Sequence, residues 1–251
     1  MNGFGALLKK ELKEQLRTYK LLIVAAVFLL FGLGTPLLIK YTPQLIELAG
    51  EDLVIQIPPP SAVMAIAEYA STIGQVGVLV AVLVAMGAVA RERSRGTAAM
   101  VLSKPVSMGA FITAKLTAMS ATFIGALILG SVACYTYTII LIEPADISAF
   151  LALNLLVALF LVVCLAITLF FSSLFRNQLA AGGIALIIII MQALLTQIPG
   201  FGDYLPARMV IWGTDLLGGQ VSNAWGAVGV SLAVIIACLY FSRLILQHRE
   251  L

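Results

Sequence analysis

ISAFLALNLLVALFLVVCLAITLFFSSLF, residues 147–175, holds no Lys, Arg, Asp, Glu or His. A helix rising about 1.5 Å per residue over this length outreaches a hydrocarbon core of about 30 Å. Lipid offers the backbone no hydrogen-bond partners, so the segment must satisfy its own amides, which an α-helix does within one chain. Outward from it lie five more uncharged apolar runs: 21–39, 71–90, 116–142, 179–198 and 224–242. A transmembrane β-barrel would show short alternating strands instead. The expectation is an all-α membrane protein with six transmembrane helices in a single membrane domain, 1–251.

Composition agrees. The 251 residues are 61% apolar and 11% charged, with a mean hydropathy of +1.08. A soluble domain would need more polar surface, and the segments between the runs are too short for one. Cys134, Cys164 and Cys238 all fall within runs, so they read as small buried apolar residues rather than a disulfide framework. No Cys or His spacing suggests a metal site, and the single histidine, His248, sits in a charged tail.

Charge distribution orients the chain. With the N-terminus in the cytoplasm, Lys9, Lys10, Lys13, Arg17 and Lys20 lie inside. So do Arg91, Arg93, Arg95, Lys104 and Lys115 between the second and third runs, then Arg176, Arg243 and Arg249. Only Lys40 and Arg208 lie outside. Most acids fall on the outer side: Glu47, Glu51, Asp52, Glu68, Glu143, Asp146, Asp203 and Asp215. The positive-inside rule then gives N-in and C-in. The long basic lead and the length of the first run argue against a cleaved signal peptide.

The hydrophilic stretches carry further pattern. Phe4, Leu8, Leu12, Leu16 and Tyr19 share one helical face, with Leu7 at its edge. Lys9, Lys13, Arg17 and Lys20 gather on the other. That predicts a helix lying in the headgroup region, with Leu8, Leu12, Leu16 and Arg17 also available to a cytoplasmic partner. The first outer loop, about 40–70, contains Pro43 and Pro58-Pro59-Pro60, with a helix restarting near Ser61. In the loop 91–115, Gly96 breaks the incoming helix and Thr97 caps a short one through Leu102. Pro105 ends it, and Ser107 caps the third spanning helix. Met100, Val101 and Leu102 are apolar knobs that a plain linker does not need. Arg176-Asn177-Gln178 makes the fourth and fifth spans antiparallel neighbours, and Gly182-Gly183 permits close approach. Within 199–223 a short apolar piece around Trp212 reads as a re-entrant or interfacial segment with the indole at headgroup level.

Glu92, Gly96-Thr97, Leu102-Ser103, Pro105-Val106-Ser107 and Lys115 resemble the first cytoplasmic loop of ABC transporter permeases of the type-2 export family. There the loop runs Glu-x-x-x-Gly-Thr, apolar residues, Leu-Ser-x-Pro, and a Lys opening the third span. Six spans and a basic amphipathic N-terminus are similar too. The likeness is nearest to the branch containing the permease of the nitrous-oxide-reductase maturation transporter. Met108 stands where an Arg often follows, Ala114 where Gly is usual, and Ser94 at a commonly acidic position. The resemblance implies a multi-pass permease of a bacterial or archaeal cell membrane, paired with a second copy or a paralogue. It implies a coupling helix, through Glu92, Gly96, Thr97, Met100, Val101, Leu102 and Pro105, seated in a separate ABC ATP-binding subunit. ATP and Mg would bind that partner. This chain would hold no cofactor and catalyse nothing, consistent with the absence of a GxxxxGK[ST] loop. Nucleic acid is not an expected partner.

Two other classes compete. An ion-coupled carrier commonly keeps ionisable groups within its spans, and the runs contain none. An intramembrane protease needs a membrane histidine or metal ligands, also missing from the runs. A non-transporting assembly subunit is a further alternative. Asn154 and Gln192 are the residues most expected along a translocation path, because a bare amide facing lipid is costly.

Overall fold

A computed structural model of the chain describes residues 3–49, 59–94, 107–220 and 222–248. Among these residues all regular structure is helical: α1 (Phe4–Arg17), α2 (Lys20–Ala49), α3 (Ala62–Ala85), α4 (Ala90–Ser94), α5 (Met108–Leu141), α6 (Ile147–Leu174), α7 (Gln178–Leu195), a 3-10 turn at Gly202–Tyr204, α8 (Arg208–Leu217) and α9 (Trp225–His248). Six segments are long and apolar enough to cross a membrane: α2, α3 continuing into α4, α5, α6, α7 and α9. The segment quoted first, α6, is the axis of the bundle. It packs against α3, α5, α7, α8 and α9, and its Leu153, Leu161, Leu165 and Leu169 are fully enclosed.

α3 and α5 start well before their apolar runs, because polar caps rather than hydropathy set their first turns. α3 begins at Ala62, as the Ser61 restart predicts. The Met64 N–H donates to the Ser61 hydroxyl at 3.2 Å, and the Ala62 N–H donates to the Glu143 carboxylate at 3.0 Å. A carboxylate at a helix N-terminus also meets the positive end of the dipole. Ser107 caps α5 as expected, accepting from the Ala110 N–H at 3.2 Å. α5 therefore starts two turns before position 116, and Lys115 lies inside the helix rather than in a loop. The expectation of a loop from Lys40 is corrected as well, because α2 runs through Pro36 and Pro43 to Ala49. Membrane helices tolerate such prolines where neighbouring helices pack against the break, and α2 is flanked by α3 and α5.

The second span breaks between α3 and α4, and one hydroxyl closes the break. Ser172 of α6 accepts from the Val89 N–H at 3.0 Å and the Ala90 N–H at 3.1 Å, and donates to the Met86 carbonyl at 2.8 Å. A serine hydroxyl has one donor and two acceptor sites, so it is used completely. Ser172→Ala leaves three backbone groups short of a partner in a buried place. It is expected to lower stability by about 1–3 kcal/mol, read as a drop in the thermal midpoint of the detergent-solubilised protein. An unchanged midpoint would show that the break needs no closure from α6.

α6 and α7 are adjacent, as the short connection requires, with Asn177 accepting from the Leu179 N–H at 2.9 Å. Gly182 is the close-approach glycine, since an added Cβ would lie 2.8 Å from the Met86 sulfur, whereas Gly183 faces open space. The helix around Trp212, α8, packs its apolar face onto α6 and α3, and Trp212 is buried against them. Its indole N–H donates to the Ser222 carbonyl at 2.7 Å. Trp225, edge-on at 5.3 Å, is the exposed member of the pair.

Candidate coupling site

At the end of the bundle where the basic segments gather, a buried ion cluster joins three elements. Lys115 of α5 is only 3% exposed at its side chain, and its ammonium donates to Glu11 of α1 at 3.0 Å and Glu92 of α4 at 2.9 Å. Lys10 approaches the same two carboxylates at 3.3 and 3.5 Å. The Phe111 ring lies 4.9 Å below the Lys115 ammonium, a cation–π contact that strengthens when desolvated. Burial works to lower the Lys10 pKa, but the neighbouring Glu11 and Glu92 carboxylates outweigh it and hold the ammonium above its ordinary value. A raised lysine keeps its contribution at all pH values below the ordinary lysine range and loses it only as alkaline pH passes the folded value.

The cluster follows from helical spacing. Leu7, Glu11 and Gln15 recur every fourth residue and form the buried stripe of α1, packed on α5. Leu8 and Leu12 flank this stripe half-buried. Leu16 is exposed, as is Tyr19, which lies beyond the end of α1 with a positive φ of 56°. The apolar face read from sequence, Phe4, Leu8, Leu12, Leu16 and Tyr19, thus stays half-buried or exposed, beside a protein-facing stripe with two polar side chains at its centre. Arg17 remains exposed with Lys9 and Lys13 on the opposite side.

Two further contacts anchor α4. The Arg91 guanidinium donates to the Gln178 amide oxygen at 2.9 and 3.2 Å, and Arg93 donates to the Ser173 carbonyl at 2.7 Å. Of the coupling residues expected from sequence, Glu92 is thus half-buried and directed into the chain. Gly96, Thr97, Met100, Val101, Leu102 and Pro105 lie outside the described residues. Glu11, Glu14 and Glu92 have the spacing of a metal-ligand set, but the Lys115 ammonium occupies the position a cation would take, so the donor set does not fit a metal.

The path candidates are placed separately. Asn154 bridges α6 to α5, accepting from the Ser131 hydroxyl and donating to the Phe150 carbonyl at 2.9 Å. Gln192 of α7 is half-buried, and its amide nitrogen is enclosed with no hydrogen-bond partner among the described residues. Glu11 and Ser172 were invisible to sequence reasoning. Only the four-residue spacing from Leu7 could have flagged Glu11, and it gives no sign of its partner.

A bundle of membrane-length helices with its buried charge confined to one end defines a polytopic membrane protein. The chain matches the family described as ABC-2 family transporter protein over residues 5–217. It is 30% identical over 214 residues to the uncharacterized transmembrane protein YxlG of Bacillus subtilis (strain 168), covering 83% of each chain. The chain belongs to the ABC-2 transporter family, whose members are the membrane, non-catalytic components of ABC-type transporters.

Proposed function

We propose that this permease works as an exporter driven by ATP hydrolysis on a separate ATP-binding subunit, paired with a second copy or a paralogue around a translocation path. The termini and the loop 91–115 face the cytoplasm in this reading, and ATP and Mg bind the partner. The observation that supports it best is the Lys115 cluster. A push on the segment between α4 and α5 reaches Glu92, and through Lys115 it reaches both α1 and the third spanning helix. The ion cluster and the Ser172 closure make α4 a lever with fixed attachments. Gly96, Thr97, Met100, Val101, Leu102 and Pro105 would form the surface that seats in the ATPase. Asn154 and Gln192 would line or support the path.

Solubilisation of the full chain from native membrane under mild detergent is expected to bring an ATP-binding protein with it. Leu102→Asp places a charge in the apolar seat and should abolish this copurification while the permease level in the membrane stays unchanged. A Leu102→Asp variant that retains the ATPase and transports normally would refute the coupling role.

A further inference from the structure

Beside the ion cluster, a cavity of about 350 Å³ opens between α1, α2, α3, α4 and α5. Its chemistry is divided. Leu83, Val84, Ala88 and Met119 supply an apolar wall, and Leu83 is 63% exposed on the outer face of α3. Lys10, Lys20, Arg91 and Glu14 supply a polar rim. Glu11 and Glu92 are already taken up by Lys115 and Lys10. Lys20 makes no ion pair among the described residues, and Arg91 contacts only the neutral Gln178 amide there. The cavity is left with more free positive than negative charge, Glu14 offsetting one of the two cations.

We propose that this cavity holds the headgroup of an anionic glycerophospholipid, with the phosphate between Lys20 and Arg91 and an acyl chain leaving over Leu83. Each part of the ligand answers one feature. The phosphate supplies the negative charge that the lining lacks. A phosphoglycerol headgroup keeps that net negative charge, whereas a choline headgroup cancels it. The open apolar wall beside Leu83 gives the chain an exit into the bilayer. Bound there, the lipid would tie α1 and the start of α2 to α3 and α4, beside the Lys115 cluster. The inference needs neither an ATPase partner nor a direction of transport.

The test is lipid retention by the full chain purified from vesicles of phosphatidylglycerol and phosphatidylcholine in equal parts, with bound lipid counted by mass spectrometry. Phosphatidylglycerol is expected to be retained about tenfold over phosphatidylcholine. Lys20→Gln should lower that retention roughly fivefold, since one lysine near a lipid surface is worth about a factor of five. Equal retention of the two lipids by the unaltered chain, or full retention by Lys20→Gln, would overturn the proposal. Displacement of the retained lipid by millimolar inorganic phosphate would also overturn it, because the site would then recognise a free anion. The comparison of lipids on the unaltered chain stands even if Lys20→Gln fails to insert.

Discussion

Lys115→Met is expected to lower stability by about 3–5 kcal/mol, the usual cost of removing one partner from a buried ion pair. The variant leaves the Glu11 and Glu92 carboxylates close together at 9% and 17% side-chain exposure, with the more exposed Lys10 as their remaining cation. Repulsion between them acts at the joint between α1 and α4, so α1 should detach from α5 before the bundle opens. Limited proteolysis between α1 and α2, around Thr18 and Tyr19, should accelerate ahead of any loss of the spans. A thermal midpoint and cleavage rate equal to those of the unaltered chain would show that the cluster is not structural.

A second variant separates holding from signalling. Replacing all three charges together (Glu11→Leu, Glu92→Leu, Lys115→Met) removes the stranded carboxylates, and buried ionic sets replaced by apolar side chains are often neutral or more stable. The triple variant should therefore recover most of the midpoint. If the cluster only holds α1 in place, the transport proposed above recovers with it. If the charges transmit movement from the loop, stability returns and transport does not. The same stability in single and triple variants would contradict the geometry at Lys115.

The contrast between what the sequence displays and what it conceals has a physical basis. Hydrophobic runs reveal spans because lipid selects apolar side chains wherever a helix meets it, regardless of which helices lie next to it. The six runs correspondingly mark the six membrane-length segments, the second of them crossing the break between α3 and α4. Helix ends are set by single hydrogen bonds. Ser61 and Ser107 were legible because their side chains cap the very next turn. The Glu143 cap on Ala62 joins positions distant in the chain and was not. Lys115 looked like a loop cation because charge normally marks the edge of a span, and only the fold brings Glu11 and Glu92 to it. The protein-facing stripe of α1 was hidden for a related reason: an apolar stripe can serve lipid or protein, and periodicity does not distinguish the two. The burial of Trp212 against α6 was hidden by the same ambiguity.

Gly130 carries the other large effect. α2 and α5 cross with their backbones in contact. A Cβ added at Gly130 would lie 2.6 Å from the Phe28 carbonyl oxygen and 2.8 Å from the Tyr69 hydroxyl, and one at Gly32 would strike the Gly130 carbonyl. Backbone atoms on both sides leave no rotamer to yield. Small residues that let backbones approach in this way are a usual means of membrane helix association, where no hydrophobic force separates helix from lipid. Pro36 adds to the constraint, because it withholds the N–H that would otherwise bond the Gly32 carbonyl. Gly130→Ala is expected to cost about 1–3 kcal/mol and Gly130→Leu more, since overpacking here must move a helix rather than a side chain. Gly125, on the same helix, faces open space, and Gly125→Ala should be neutral or stabilising by up to about 1 kcal/mol through helix propensity. The fraction of each variant eluting as a monodisperse species in mild detergent measures the difference. Gly130→Leu should lose the folded peak while Gly125→Ala keeps it, and equal behaviour of Gly130→Ala and Gly125→Ala would mean that α2 and α5 do not meet at this glycine pair.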